Sequence, residues 1–210
     1  MPPLPDPAET PAARGATLSP RRRQLLEAAL HVIADEGLRG LTHRAVDRRA
    51  GLPEGSCSAY LRTRKALQAA LTEYVADRLV ADVDELADRL RGNLQKTGKA
   101  GGVDGALELF GRWLEQRELL VARLELTMAA TRDADLARLL ADHRSRLVQI
   151  VEAIMTSAGR EHSDARAEAL VASYDGILLA ALLRPVDERR AFLSRSLEVL
   201  GTALTGELEA

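Results

Sequence analysis

The 210-residue chain is 46% hydrophobic but only 3% aromatic, carries a net charge of −2 and has one cysteine. That length allows one domain or two small ones, and the lone Cys57 excludes an internal disulfide and a cysteine-rich structural metal site. The charge argues against a generic polyanion binder, yet it is unevenly spread: residues 18–67 carry a net +5 and residues 68–210 a net −6. A basic head on an acidic body is the pattern of a protein in which only the head meets phosphate.

Residues 1–17 are proline-rich without helical period and read as a disordered arm, with no basic-then-apolar leader and no run of about 18 apolar residues anywhere. The chain is therefore expected to be cytoplasmic, with no membrane partner. Ala and Leu dominate the apolar set, which favours helix over strand.

The first helix is expected from Ser19, a polar cap followed by Pro20. Leu25, Ala29, Val32 and Ile33 recur at helical spacing until Gly37 stops it. Thr42 caps a second helix of about two turns, in which Ala45, Val46 and Ala50 face inward before Gly51 ends it. Pro53 presets a first turn and places a third short helix at about 54–61. Two short helices after a longer supporting one form a helix-turn-helix pattern. Thr63 caps a long fourth helix running to about Leu94, and the glycines of 96–102 mark a loop. Five more helices are expected near 103–116, 118–131, 133–157, 163–184 and 187–205, about nine in all, with no strand pattern.

The segment RRRQLLEAALHVIADEGLRGLTHRAVDRRAGLPEGSCSAYLRTRKAL, residues 21–67, resembles the DNA-binding domain of the TetR family. The resemblance rests on Leu25, Leu26, Ala28, Ala29, Gly37, Thr42, Ala50, Gly51, Gly55 and Leu67, with Leu52, Leu61 and Arg64 conservative. Three positions depart from it: Pro53 replaces a polar cap, Ser58 occupies the usual tyrosine position, and Tyr60 stands where histidine is common. The resemblance implies an all-α protein. Its helix-turn-helix domain would occupy residues 18–67 and its helical effector-binding and dimerisation domain residues 68–210.

The physical reading stands beside the resemblance. A major groove admits one helix, whose N-terminal residues reach base edges while the preceding helix crosses the backbone. Glu54, Gly55, Ser56, Ser58 and Ala59 are accordingly assigned to the groove face, with Pro53 beside them among the DNA-binding residues. Thr42, His43 and Arg44 before it, and Tyr60, Arg64 and Lys65 after it, are the phosphate candidates. Backbone amides at these helix starts are expected to add to them. Arg48, Arg49 and Arg62 read better as solvated charges, and Cys57 as a small core residue.

In the body, Ile177, Leu178, Ala181 and Leu182, then Phe192, Leu193, Ser196, Leu197 and Leu200, form apolar stripes on the last two helices. By resemblance they pair with a second copy, and a homodimer suits a palindromic operator. Phe110, Trp113, Leu114, Arg117, Leu124, Met128, Met155 and Tyr174 lie on helices that, by the same resemblance, surround a small-molecule effector pocket; plain core packing is the competing reading for each. No cofactor and no metal site is expected. The functional expectation is a repressor of double-stranded DNA released by an unidentified ligand. The alternatives are a DNA binder without ligand control, or a helical enzyme using His143 or His162 beside nearby acids. No P-loop, GxSxG, HExxH or dinucleotide fingerprint supports the last.

Overall fold

A computed structural model describes residues 18–97, 101–157, 159 and 163–205. The expected arm at 1–17 and His162 lie outside the described residues. Within them every element is an α-helix: α1 (Pro20–Gly40), α2 (His43–Ala50), α3 (Ser56–Tyr60), α4 (Arg64–Thr97), α5 (Gly102–Glu115), α6 (Arg117–Ala130), α7 (Ala134–Ser157), α8 (Ser163–Leu182) and α9 (Val186–Thr205).

The helices begin where polar caps meet free amides. The Ser19 hydroxyl accepts from Arg22 N, Thr42 from Ala45 N, and Thr63 from Ala66 N, while the Asp133 carboxylate accepts from the amides of Asp135 and Leu136 at the head of α7. Gly51 ends α2 at φ 67°, a left-handed conformation that costs a residue without Cβ nothing. Gly37 breaks α1 at φ 68° and ψ −178°, an extended conformation that also needs a glycine, and the chain makes one further turn to Gly40 before α2.

The third helix departs from expectation. It starts at Ser56, not near Glu54, because Pro53 and Glu54 form a turn closed by Ser56 N donating to Pro53 O at 3.2 Å. Its N-cap is Gly55 at φ 93°, so the residue that governs entry is the glycine and not the proline.

Leu25, Leu26, Ala29 and Ile33 on α1 pack with Val46 on α2, Cys57 on α3 and Leu67 and Leu71 on α4, all essentially inaccessible to water. The same apolar cluster runs on into the body through Leu109, Leu119 and Leu126 to Leu193 and Leu197. α4 is unbroken across the expected boundary at residues 67 and 68, and it lies along α7. α1 rests on both α2 and α6, and α8 joins α7 to α9. Close approach of α5 to α4 needs Gly105: a Cβ there would meet Leu86 Cδ1 at 2.6 Å.

Candidate DNA interface and the cavity behind it

A short helix of five residues cannot hold itself in place, and Asp47 holds α3. This residue is 1% exposed; its Oδ2 accepts from Gly55 N at 2.8 Å and its Oδ1 from Cys57 N at 2.7 Å. With Ser56 N donating to Pro53 O, the amides of Gly55, Ser56 and Cys57 at that helix start are all taken up internally. His43 braces the other end, its Nε2 donating to Leu61 O at 2.5 Å. Cys57 is fully buried beneath α3, and burial, then the nearby Asp47 charge, pushes its thiol up to about 11.

With α3 fixed at both ends, the start of α2 and the length of α3 form one outward polar surface. Thr42, Arg44, Pro53, Glu54, Gly55, Ala59 and Tyr60 are exposed there, and His43, Ser56 and Ser58 are half-buried. The Ser56 hydroxyl donates to Pro53 O and the Ser58 hydroxyl to Gly55 O, which leaves each oxygen able to accept. Arg44 and Glu54 pair at 3.2 Å while both remain more than 70% exposed, a weak contact that a phosphate can replace. Tyr60 is half exposed, with its ring outside the core. Of the basic residues read as solvated, Arg48 and Arg62 are exposed and Arg49 pairs with Asp35 at 3.1 Å.

Arg64 and Lys65, at the head of α4, are exposed but engaged by the protein. Arg64 donates to Leu38 O at 2.7 Å, and Lys65 meets Asp135 at the start of α7 at 2.5 Å. The hydrogen bond to Asp135 raises the Lys65 pKa above its ordinary value and lowers that of the carboxyl. The amide of the same Leu38 donates to Glu125 on α6 at 3.0 Å. The turn that follows Gly37 is thereby held by α4 on its carbonyl side and α6 on its amide side. Further along, Glu27 of α1 accepts from the Tyr74 hydroxyl and meets Arg78, which also donates to Gln116 between α5 and α6. Neither Asp47 nor Glu125 was singled out by sequence. Asp47 is the lone acid of α2 and Glu125 one of two acids on α6, and periodicity does not mark an acid whose partners are backbone amides of another element.

Behind the head, the body encloses a cavity of about 230 Å³ between α4, α5, α7, α8 and α9. Phe110, Trp113, Met155 and Tyr174 line it, and Val83, Leu86 and Ile154 extend its apolar wall. Phe110 stands between two rings, stacked on Trp113 at 5.5 Å and edge-on to Tyr174 at 4.9 Å. The remaining expected lining residues lie elsewhere: Leu114 is buried in packing, Arg117 is exposed at the start of α6, Met128 is 57% exposed, and Leu124 lines a smaller void between α6 and α8. α6 turns a different face to the cavity, and its contribution is Arg123. Burial pushes the Tyr174 hydroxyl up to about 12.

The apolar stripes of α8 and α9 divide in two. Leu178, Ala181, Leu193 and Leu197 are at most 3% exposed and face the interior of their own chain, so they cannot touch a second copy. Ile177, Leu182, Phe192, Ser196 and Leu200 are half-buried. Ile177, Phe192, Ser196 and Leu200 line an outward groove with Val199, which is 65% exposed, and Leu183 and Val186 stand more than 75% exposed at the turn between the helices. Because α8 is apolar on nearly all sides, its sequence period does not separate the inward face from the outward one.

Among the described residues no group of three or more His, Cys, Asp or Glu is placed to hold a metal ion, and no helix is long and apolar enough to cross a membrane.

Comparison with known proteins bears on both ends of the molecule. Residues 97–203, just over half of the chain, match the family model described as "Tetracyclin repressor-like, C-terminal domain". The chain is 25% identical over 175 residues to the HTH-type transcriptional regulator PksA of Bacillus subtilis, covering 79% of this chain and 80% of that protein. Among solved structures, a transcriptional regulator from Rhodococcus sp. Rha1 superposes with a TM-score of 0.72 at 21% identity, covering 89% of this chain and 96% of that one. A member of the TetR family from Streptomyces coelicolor A3 gives 0.63 at 26% identity, over 85% and 98%. The multidrug binding protein EbrR, in complex with imidazole, gives 0.60 at 27%, over 92% and 98%.

Proposed function

Since the chain belongs to the TetR family of transcriptional regulators, and so is a regulator and not an enzyme, we propose that it represses transcription as a cytoplasmic homodimer on a palindromic operator and is released by a small molecule. The observation that carries this reading is the outward surface formed by Thr42–Arg44 and Pro53–Tyr60, held from inside by Asp47. Ala59 and Gly55 are small enough for close approach to base edges and to thymine methyls, with Ser56 and Ser58 as hydrogen-bonding groups beside them. Thr42, His43, Arg44, Tyr60, Arg64 and Lys65 flank that surface as phosphate contacts. In this reading residues 18–67 are the reading head and the rest of the chain is the sensing and pairing body.

A second copy docks on the groove between α8 and α9 through Ile177, Phe192, Ser196, Val199 and Leu200, with Leu183 at its edge. The two heads then address half-sites about 34–36 Å apart, or a multiple of that. EbrR is a multidrug binding protein, and in this reading the body cavity is the place for an effector here. A ligand that prefers a body shape in which α4, α6 and α7 shift would act on the head through Arg64, Glu125 and Lys65. It can weaken DNA binding only by its differential affinity for the two shapes.

Selection of duplexes from a random pool by the full chain tests the reading. An enriched inverted repeat is expected, with affinity that falls steeply as salt rises. Recovery of an unenriched pool would overturn it, and an enriched site that no ligand releases would leave a DNA binder without ligand control.

A further inference from the structure

The body cavity is apolar along most of its wall, and its charge is gathered at one end. Arg123 and Asp175 are the charged residues that line it. The same two line a second void of about 300 Å³ between α4, α6, α7 and α8, where Arg144 and His143 join them. The pair therefore borders both spaces.

Two guanidinium groups share one carboxylate there. Asp175 Oδ1 accepts from Arg123, and Oδ2 accepts from Arg144 at 2.9 Å. Both carboxylate oxygens are engaged, whereas each guanidinium has five N–H donors and directs few of them at Asp175. The Arg123 side chain is 22% exposed and so largely withdrawn from water, while that of Arg144, at 41%, keeps one side open to it. Arg123, Arg144 and Asp175, the Arg and Asp residues that line the two spaces, together carry one positive charge in excess. His143 Nδ1 is buried and has no hydrogen-bond partner; the nearest acid, Asp77, is 3.8 Å away and is shared with Arg146. Asp77 is 63% exposed and lines neither space, so it does not neutralise the junction.

An uncompensated guanidinium at the end of an apolar cavity favours a carboxylate above other partners, because its planar donors match the two oxygens. A dry apolar cavity of about 150 Å³ takes up benzene, so one of about 230 Å³ has room for a ligand of roughly nine heavy atoms. We propose that the effector is an apolar monocarboxylate of medium length, its tail among Phe110, Trp113 and Ile154 and its head between Arg123 and Arg144. The head displaces Asp175 from one guanidinium. This inference rests on the reading of the cavity as the sensor site and names its ligand class.

The test uses the full chain and three probes of equal length: octanoate, octan-1-ol and octylammonium. Trp113 is the one tryptophan of the sequence and lines the cavity, so its emission reports occupancy without DNA. Octanoate is expected to bind at least tenfold more tightly than octan-1-ol, with octylammonium weakest. Arg144→Gln is expected to erase the preference for octanoate over octan-1-ol. Asp175→Asn, which removes the competing carboxylate, is expected to tighten octanoate severalfold. Opposite signs in the two variants cannot come from damage to the fold. Equal binding of the three probes, a preference for octylammonium, or no response to any of them would overturn the proposal. The sensor reading fails separately, when a compound that changes Trp113 emission leaves operator affinity unchanged.

Discussion

Asp47 does two things at once: it satisfies two amides that a five-residue helix leaves open, and it fixes the direction in which α3 points. Replacing it with Ala leaves the buried Cys57 amide without an acceptor, a defect that costs about 1–3 kcal/mol, while the amide of exposed Gly55 turns to water. Asp47→Ala is thus expected to lower the urea midpoint at unchanged slope and to weaken operator binding more than that loss of stability explains. Equal stability of the two proteins would show that the contacts do not form. Cys57 beneath it gives the molecule an alkaline limit. Its thiol lies at about 11 when folded against an ordinary 9.0, and the Tyr74 and Tyr174 hydroxyls at about 12 against 10.0, all raised first of all by burial. A raised acid favours the folded state below its unfolded value and loses that advantage as pH climbs to the folded one. Stability measured by urea is accordingly expected to hold up to about pH 9 and decline from there towards 12, with a shallower decline between 9 and 11 in Cys57→Ala. A flat profile in the wild type would contradict the burial of these groups.

The elements were legible in sequence wherever a cap residue announced them. Ser19, Thr42, Thr63 and Gly51 stand at the helix ends that their chemistry implies, and the body helices fall within a few residues of their apolar periods. Two things were not legible. The start of α3 depends on whether Pro53 opens a helix or a turn, and Gly55 with the Asp47 acceptors decides it from outside the local sequence. The inner and outer faces of the C-terminal half of α8 are both apolar, so only packing against α5, α7 and α9 separates Leu178 and Ala181 from Leu179, which is 42% exposed. The α4 to α7 contact supplies a prediction at this scale. Lys65 is held by Asp135 when DNA is absent, and a phosphate must compete for it. Asp135→Ala is expected to raise operator affinity severalfold at low salt, and Lys65→Ala to lower it and reduce the slope of log affinity against log salt by about one. An Asp135→Ala protein that binds DNA no better would mean that the ion pair does not compete with phosphate.

At the scale of the whole molecule, one apolar cluster joins head to body, and polar ties from α4, α6 and α7 meet the head near Leu38 and Lys65. In the proposed reading, a change in the cavity would reach the α2–α3 surface through this cluster and these ties. Pairing is the other property at this scale, and Val199→Glu on the exposed side of α9 is expected to shift the full chain from dimer to monomer in light scattering, with its helix content kept. A dimer that survives that change would move the interface away from the α8–α9 groove. The most direct measurement compares the wild type with Ala59→Glu on the duplex that the wild type selects, by fluorescence anisotropy. Ala59 is exposed on α3 and supports nothing inside the protein, so the variant keeps its fold and its pairing. The account predicts that a carboxylate placed there weakens binding at least a hundredfold; equal affinity of the two proteins would contradict it.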